Sequence, residues 1–436
     1  MKLAVFRLGY VEFTPRRQAV ARSGLAGRRV LIIVENLPAP FDRRVWQEAR
    51  TLKAQGAEVA IICPKAPGYE AAREEIDGIK IFRHPMPAEG CGPMGYFREY
   101  AAALWREAAL AWRLFFTRGF DVLHICNPPD LIFLVALPFK LLGVRVVFDH
   151  HDICPELYEA KFGRRDLFWS ALRLAERLTY AVADVALSTN ESYRAIALSR
   201  GRKRHEDVFV VRSGPDLDTL RPVKPNARWR RGKTHLIGYV GVMGDQEGLD
   251  LLLQAMAHLV FDLRRDDVFL ALAGSGTSLP ALKAMARDLG LEGNVEFLGR
   301  ISNADLCELL SSADICVNPD RVNAMNDLST MNKIMEYMAF SKPVVQFEVR
   351  EGRVSAADAS LYARANAPQD FARKIAQLIE DPALCARMGA LGRERVETHL
   401  SWRAQTPALL AAYERALERR WNGRSADAVS GSRWLR

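Results

Sequence analysis

The chain has 436 residues, 49% of them hydrophobic and 26% charged, close to globular averages, which excludes a disordered or fibrous protein. That length calls for two large domains or three small ones, each able to bury a core. The formal net charge is +9, but residues 1–29 carry +6 and residues 415–436 carry +4, leaving −1 for the stretch between them. A body that binds nucleic acid should itself be basic, so no nucleic-acid partner is expected.

Taken in chain order, short apolar runs alternate with longer amphipathic stretches. Val30–Glu35 reads as a strand, Asp42–Gly56 as a helix and Glu58–Cys63 as a strand. Ile79–Arg83 follows as a strand, then a helical stretch from Met94 to Arg118. Asp121–Cys126, Arg145–Asp149, Asp184–Leu187 and Val208–Val211 continue the strands. Between Gly214 and His235 the beat stops in a Pro-, Arg- and Lys-rich linker. It resumes with Leu236–Gly241, Phe269–Gly274, Val295–Leu298, Ile315–Asn318 and Pro343–Phe347. Helices close the chain around Asp370–Ile379, Pro382–His399 and Ser401–Trp421. Near-continuously apolar strands alternating with helices predict two doubly wound parallel sheets, an α/β protein. Ligands then bind at the carboxyl ends of the strands, in the cleft where the two sheets face each other.

Seven scattered cysteines without Cys-x-x-Cys spacing read as free thiols in a reducing compartment, with no zinc site. The most apolar run, Leu131–Phe148, is interrupted by Pro138, Lys140 and Arg145, so no membrane span is expected. Met1–Tyr10 is too short for a signal peptide. A cytoplasmic protein is the expectation. Met94–Arg118 is rich in aromatic residues and carries a narrow charged stripe through Glu99, Arg106 and Arg113. It suits either a bilayer interface, peripheral on the inner face of the cell membrane with the basic ends drawn to anionic lipid, or packing inside the first domain.

Several turns suit chemistry. Gly241 and Gly244 follow a strand and enter a Leu-rich helix, either as a tight turn or as a pyrophosphate cradle. Asn318-Pro319-Asp320-Arg321 and Asn326-Asp327 lead into a helix that begins at Asn332. There Lys333 and Glu336 share a face, either as an ion pair or as a phosphate cation and a ribose acceptor. Phe148-Asp149-His150-His151-Asp152 and the nearby Glu156 follow a buried strand, suiting an oriented imidazole and carboxylates beside an acceptor hydroxyl, or a surface loop. His124 reads as core, with Cys126–Asn127 at the end of its strand. Asp42 suits an N-cap, and Arg43 or Arg44 behind it suits a phosphate of donor or acceptor.

The run Asn332–Val345 resembles the helix and strand of family 4 glycosyltransferases, the retaining GT-B nucleotide-sugar enzymes, and in particular their polysaccharide-assembly type. Tyr239-Val240-Gly241 with Gly248–Leu252, Phe297–Arg300, Leu309–Pro319 and Pro382–Trp402 agree in order and spacing, covering about residues 29–421. The resemblance implies a GT-B fold, two Rossmann-like doubly wound parallel-sheet domains facing across a cleft. Between the basic N-terminal arm (1–28) and the linker (214–234), both read from composition, it implies an acceptor-binding domain (29–213) completed by helix 401–421. A donor-binding domain (235–400) and a basic tail (422–436) follow. It implies a nucleotide-diphosphate sugar donor, a glycan or lipid-linked acceptor, and neither cofactor nor essential metal. Donor contacts are then expected from Gly241, Gly244, Arg300, Arg321, Asn326, Asn332, Lys333 and Glu336, with Glu336 on the ribose. Catalytic roles fall to His151, Asp152, Glu156 and Asp327, and phosphate or acceptor contacts to Arg43, Arg44 and Asn127. The sequence departs from the family where its sugar-binding Glu falls on Leu328 and its two phosphate-binding cations fall on Val242 and Glu247. A sugar-nucleotide epimerase of the same plan and a catalytically silent nucleotide-sugar-binding subunit are the competing expectations.

Overall fold

A computed structural model describes residues 24–85 and 92–418, with the side chains of 92–100 left aside. Most of the basic N-terminal arm and all of the tail 422–436 lie outside the described residues. The first sheet contains β1 (Arg29–Ile33), β2 (Glu58–Pro64), β3 (Arg73–Ile76), β4 (Ile79–His84), β5 (Val122–Cys126), β6 (Arg145–His150), β7 (Val185–Ser188) and β8 (Val208–Val210). Their order is β3-β4-β2-β1-β5-β6-β7-β8, parallel throughout except for the antiparallel edge strand β3. The second sheet contains β9 (His235–Val240), β10 (Val268–Ala273), β11 (Val295–Gly299), β12 (Ile315–Asn318), β13 (Val344–Phe347) and β14 (Ser360–Ala363). It is wholly parallel in the order β11-β10-β9-β12-β13-β14.

Both sheets are covered on both faces, which is why β1 reads Arg-Val-Leu-Ile-Ile with its apolar residues buried on either side. Fully burying each such side chain is worth about 1.5–3 kcal/mol. The first core starts earlier than the first strand, since Leu25 is buried in it. The last helix, Trp402–Glu418, returns to this sheet and buries Trp402, Leu409, Ala412 and Tyr413 there, with the Trp402 indole donating to Thr51 Oγ1 at 2.9 Å.

Two strands escaped the sequence pattern. β3 is a charged edge strand without an apolar face, and β14 is only four residues long. The helix expected over Pro382–His399 is regular only to Arg395, and one wider π turn, Val396–Leu400, carries the chain back toward the first sheet. The linker is docked: Trp229 is buried in the second domain's core, and its indole and Asn226 both donate to Glu308, at 2.8 and 3.0 Å. Helix Gly92–Thr117 packs Leu104, Ala111 and Leu114 onto the first sheet while leaving Trp105 and Phe116 exposed. No described helix is long and apolar enough to cross a membrane.

Candidate active site

In each sheet the chain reverses its winding beside the first strand, between β1 and β5 and between β9 and β12. Those reversals open crevices at the carboxyl ends of the strands. The loops there are Val34–Asp42 after β1, Asn127–Asp130 after β5, Gly241–Gly248 after β9 and Pro319–Asn323 after β12. Two glycines make the second crevice possible. Gly248 has φ +62°, and a Cβ on it would lie 2.1 Å from the Pro319 carbonyl. Gly274 has φ +142°, with its missing Cβ 1.8 Å from the Gly241 carbonyl, so the turns after β9 and β10 touch backbone to backbone.

Lys333 and Glu336 project into this crevice from helix Asn332–Ala339, but they do not pair with each other. Lys333 Nζ donates to both Asp320 oxygens, at 3.0 and 3.2 Å, and lies 5.1 Å from the centre of the Tyr239 ring. Burial lowers the Lys333 pKa, and Asp320 outweighs it, so the net shift is upward. Burial pushes the Glu336 carboxyl up, and Arg43 pulls it part of the way back. That Arg43 comes from the other domain: its Nη1 donates to Glu336 Oε1 at 2.6 Å and its Nη2 to Asn303 Oδ1 at 3.3 Å. Arg300 reaches the opposite way, 5.6 Å over the ring of Phe41.

On the first domain's side, Arg44 is buried. It clamps Asp149 through two hydrogen bonds of 2.7 and 2.6 Å and donates to the Val211 carbonyl at 2.7 Å. His151 Nε2 lies 2.5 Å from Asp149 Oδ2. His124 Nδ1 meets the Tyr413 hydroxyl at 2.7 Å, and its Nε2 is 3.6 Å from Glu48 and 3.7 Å from Asp149. Burial would raise the Asp149 pKa, but Arg44 and His151 hold it well below the ordinary range. Burial and the Asp149 charge push Glu48 well above it, and Arg44, 3.4 Å away, pulls it part of the way back. Burial opposes a charge on His151, and Asp149 outweighs it, leaving the imidazole more basic than usual. His124, Cys126 and Asp149 bring three possible metal donors within 4.8 Å of one another. Arg44 and His151 already hold Asp149, Tyr413 holds His124, and burial keeps the Cys126 thiol protonated, so this donor set does not fit a cation.

Several expected site residues prove to be framework. Arg44 is the clamp just described rather than a phosphate contact. Asn127 is buried and staples the His151 loop: its amide donates to Asp130 and to the Asp152 carbonyl, and its carbonyl accepts from His151 N at 2.7 Å. Glu156 is bound to Arg200 at 3.2 Å through Nη2, and that arginine also holds Glu176. Arg321 is engaged by Asp250 and the Asp245 carbonyl, so it is no free donor cation. Asn326 is buried and donates to the Gln246 and Arg321 carbonyls, and Asp327 accepts from the Arg350 amide at 2.7 Å. Glu247, at the position of a family cation, folds back to accept from the Gly244 amide at 3.1 Å. Asn332, His151 and Asp152 remain accessible, alongside Lys333, Glu336, Arg43 and Arg300.

Leu328 does something the sequence did not suggest. With Met325 it packs on Ile153, Tyr193 and Ile196 of the first domain. Around that contact the Asn190 amide donates to the Leu328 carbonyl at 2.8 Å, Tyr193 meets Ser329 at 3.1 Å and Ser192 meets Glu351 at 2.6 Å. The domains therefore touch at this seam and at the Arg43 contacts.

Residues 42–214 match the family described as glycosyl transferase 4-like domain, and residues 234–381 match glycosyl transferases group 1. The two matches fall on the two sheets in turn. The chain belongs to the GT-B glycosyltransferases of the family 4 type. Among its curated relatives is the D-inositol 3-phosphate glycosyltransferase of Kineococcus radiotolerans, 26% identical over 58% of the chain and 62% of the relative. The chain thus spans less than two thirds of that relative's length. The 2-deoxystreptamine glucosyltransferase of Streptomyces kanamyceticus is 26% identical over 86% of the chain and 98% of the relative. The putative glycosyltransferase EpsD of Bacillus subtilis is 25% identical over 64% and 72%. The sucrose-phosphate synthase of Thermosynechococcus elongatus superposes with a TM-score of 0.73 at 17% identity, covering 89% of this chain and 99% of that one. Anabaena Alr3699/HepE with UDP-glucose superposes at 0.66 and 16%, covering 87% and 98%. These likenesses carry the GT-B fold.

Proposed function

We propose that this chain transfers a sugar, with retention of anomeric configuration, from a nucleotide-diphosphate sugar to a hydroxyl of a lipid-linked glycan in cell-surface polysaccharide synthesis. It would work in the cytoplasm, peripherally on the inner face of the membrane. The observation that carries the reading is the meeting of Glu336, Lys333 and Arg43 in one crevice at the carboxyl ends of β9 and β12. HepE is described in complex with UDP-glucose, which supports a nucleotide-sugar donor.

In the proposed mechanism Glu336 accepts from the ribose hydroxyls. Arg43, released from Glu336, turns to the diphosphate, and with Lys333 supplies the positive charge that Val242 and Glu247 do not. Stabilising the departing diphosphate and holding the acceptor in place are the main catalytic terms. His151, 2.5 Å from Asp149, would orient the acceptor hydroxyl from the first domain. As proposed, the reaction needs neither a metal nor a cofactor.

Nucleotide-sugar binding by calorimetry, followed by product analysis with an acceptor present, tests this. Glu336→Ala should weaken donor binding about 10- to 100-fold, the worth of hydrogen bonds to a charged group. Unchanged binding would remove Glu336 from the site. Binding without transfer or hydrolysis would favour a silent subunit, a reading that the apolar Leu328 supports. Turnover of the donor without any acceptor would favour an epimerase.

A further inference from the structure

Helix Leu167–Val182 is amphipathic the wrong way round for a free surface. Its inner face carries Glu176, Thr179 and Tyr180, all buried and bonded to Arg200, the Asp130 carbonyl and His150 respectively. Its outer face carries Leu167, 89% exposed, and Leu174, 56% exposed, with Leu178 one turn further on. The neighbouring helix Phe133–Leu141 does the same with Leu134, Leu137 and Leu141, the last 70% exposed. Leu134, Leu137 and Leu141 stand at i, i+3 and i+7, and Leu167, Leu174 and Leu178 at i, i+7 and i+11 with Arg173 and Arg177 among them, so each helix turns leucines to the outside. Exposed apolar surface grouped in this way marks a docking face.

Beside these leucines lies a groove of about 540 Å³ bounded by Trp169, Arg173, Arg177, Arg200 and Arg202. Arg200 is neutralised by Glu156 and Glu176, whereas Arg173, Arg177 and Arg202 stand exposed. The only acid within either helix is Glu176, and it is buried, while Asp166 at the cap is paired with Arg164, so exposed cations outnumber acids on this face. Apolar side chains flanked by arginines match the acyl boundary and the negative headgroups of an anionic leaflet, and an acidic protein would leave the leucines unmatched.

From this geometry we infer that the outer face of helices Phe133–Leu141 and Leu167–Val182 docks on an anionic lipid bilayer, with the arginine groove receiving headgroup phosphate. The inference rests on the proposed action on a lipid-linked acceptor. It assigns the contact to described helices, independent of the terminal arms and of the outer side of Gly92–Thr117. The face belongs to the first domain, and Arg200 ties its groove through Glu156 to the helix that follows the His151 loop. A docked enzyme would thus hold its acceptor side against the membrane.

The test uses the full chain and flotation with phosphatidylcholine vesicles, with and without phosphatidylglycerol. The wild type should float with the anionic vesicles and be released by salt. The pair Arg173→Glu and Arg177→Glu should lower that binding roughly tenfold or more. The pair Leu141→Glu and Leu174→Glu should lower it comparably. Both pairs should keep wild-type melting temperatures, nucleotide-sugar affinity and transfer to a soluble acceptor. Vesicle binding unchanged in both pairs, or absent in the wild type, overturns the inference. So does a dimer that the leucine pair dissociates while vesicle binding persists, since the face would then join two chains. Loss of nucleotide-sugar binding in the wild type would sink the transferase reading without touching the vesicle result.

Discussion

Arg43 and Arg44 leave the same helical turn in opposite directions, and their surroundings give them opposite roles. Arg43 is half exposed and crosses to Glu336, a contact that a charged ligand can displace. Arg44 is buried on a buried Asp149, so removing it strands a charge. Arg44→Met should cost about 3–5 kcal/mol in urea denaturation, the range for breaking a buried pair by deleting one partner. Glu48→Gln makes the opposite case. Burial and the Asp149 charge push the Glu48 carboxyl above its ordinary range, and Gln is its uncharged near-isostere. Its cost should stay below about 1 kcal/mol, since the net worth of one neutral hydrogen bond is of that order. A loss as large as that of Arg44→Met would mean that Glu48 is ionised. His151 gives the pH dependence. Its folded pKa is raised by Asp149, which outweighs the opposing effect of burial. The stability it contributes is therefore fully present below its unfolded pKa, about 6.5, and is lost as pH rises through the folded value. The gap in unfolding free energy between the wild type and His151→Gln should narrow as pH rises from 5, while Asp130 and Glu176, raised to about 8 and about 7, titrate alike in both.

At the scale of elements, what was legible followed from burial. Strands such as β1 and β12 announce themselves because both faces are covered and almost every residue is apolar. β3 has no such face, so nothing in Arg-Glu-Glu-Ile marks it. In the site, the turn after β12 and the helix holding Lys333 and Glu336 were visible from their polar residues and spacing. Their partners were not: Asp320 bonds Lys333 across thirteen residues, Arg43 bonds Glu336 across 293, and Tyr413 bonds His124 across 289. Glu48 was within reach, since it lies one helical turn from Arg44, on the same face. Long-range pairing has no local signal. Gly248 ties these elements together. Its φ of +62° strains any other residue, and a Cβ would displace the Pro319 carbonyl next to Asp320. Gly248→Ala should cost about 1–3 kcal/mol, the usual strain of a residue held there. It should also weaken donor binding, because the turn that moves carries the partner of Lys333. Calorimetry on the same sample reads both effects, and full donor affinity in a destabilised variant would separate the turn from the site.

At the scale of the molecule, beyond the linker and the returning last helix, two groups of contacts between described residues cross the cleft, and they differ in kind. The Arg43 and Arg300 contacts are exposed and charged, so ligand or salt can undo them. The seam at Leu328 is apolar at its centre and hydrogen-bonded at its margins, so neither salt nor a charged ligand loosens it. This explains why a leucine stands where the family resemblance expects a sugar-binding glutamate: here the position faces Tyr193 and Ile196 of the other domain. Restoring the family residue therefore makes a sharp test. Leu328→Glu would bring a carboxylate against an apolar surface, where an unpaired charge is expensive. The domains should part to hydrate it, and the radius of gyration from small-angle X-ray scattering should increase. Transfer should fall by at least about tenfold, since assembling donor and acceptor across the cleft depends on their relative position. An unchanged radius of gyration with faster transfer would mean that the glutamate reaches the donor sugar. In that case the seam would be incidental, and position 328 would belong to the sugar site after all.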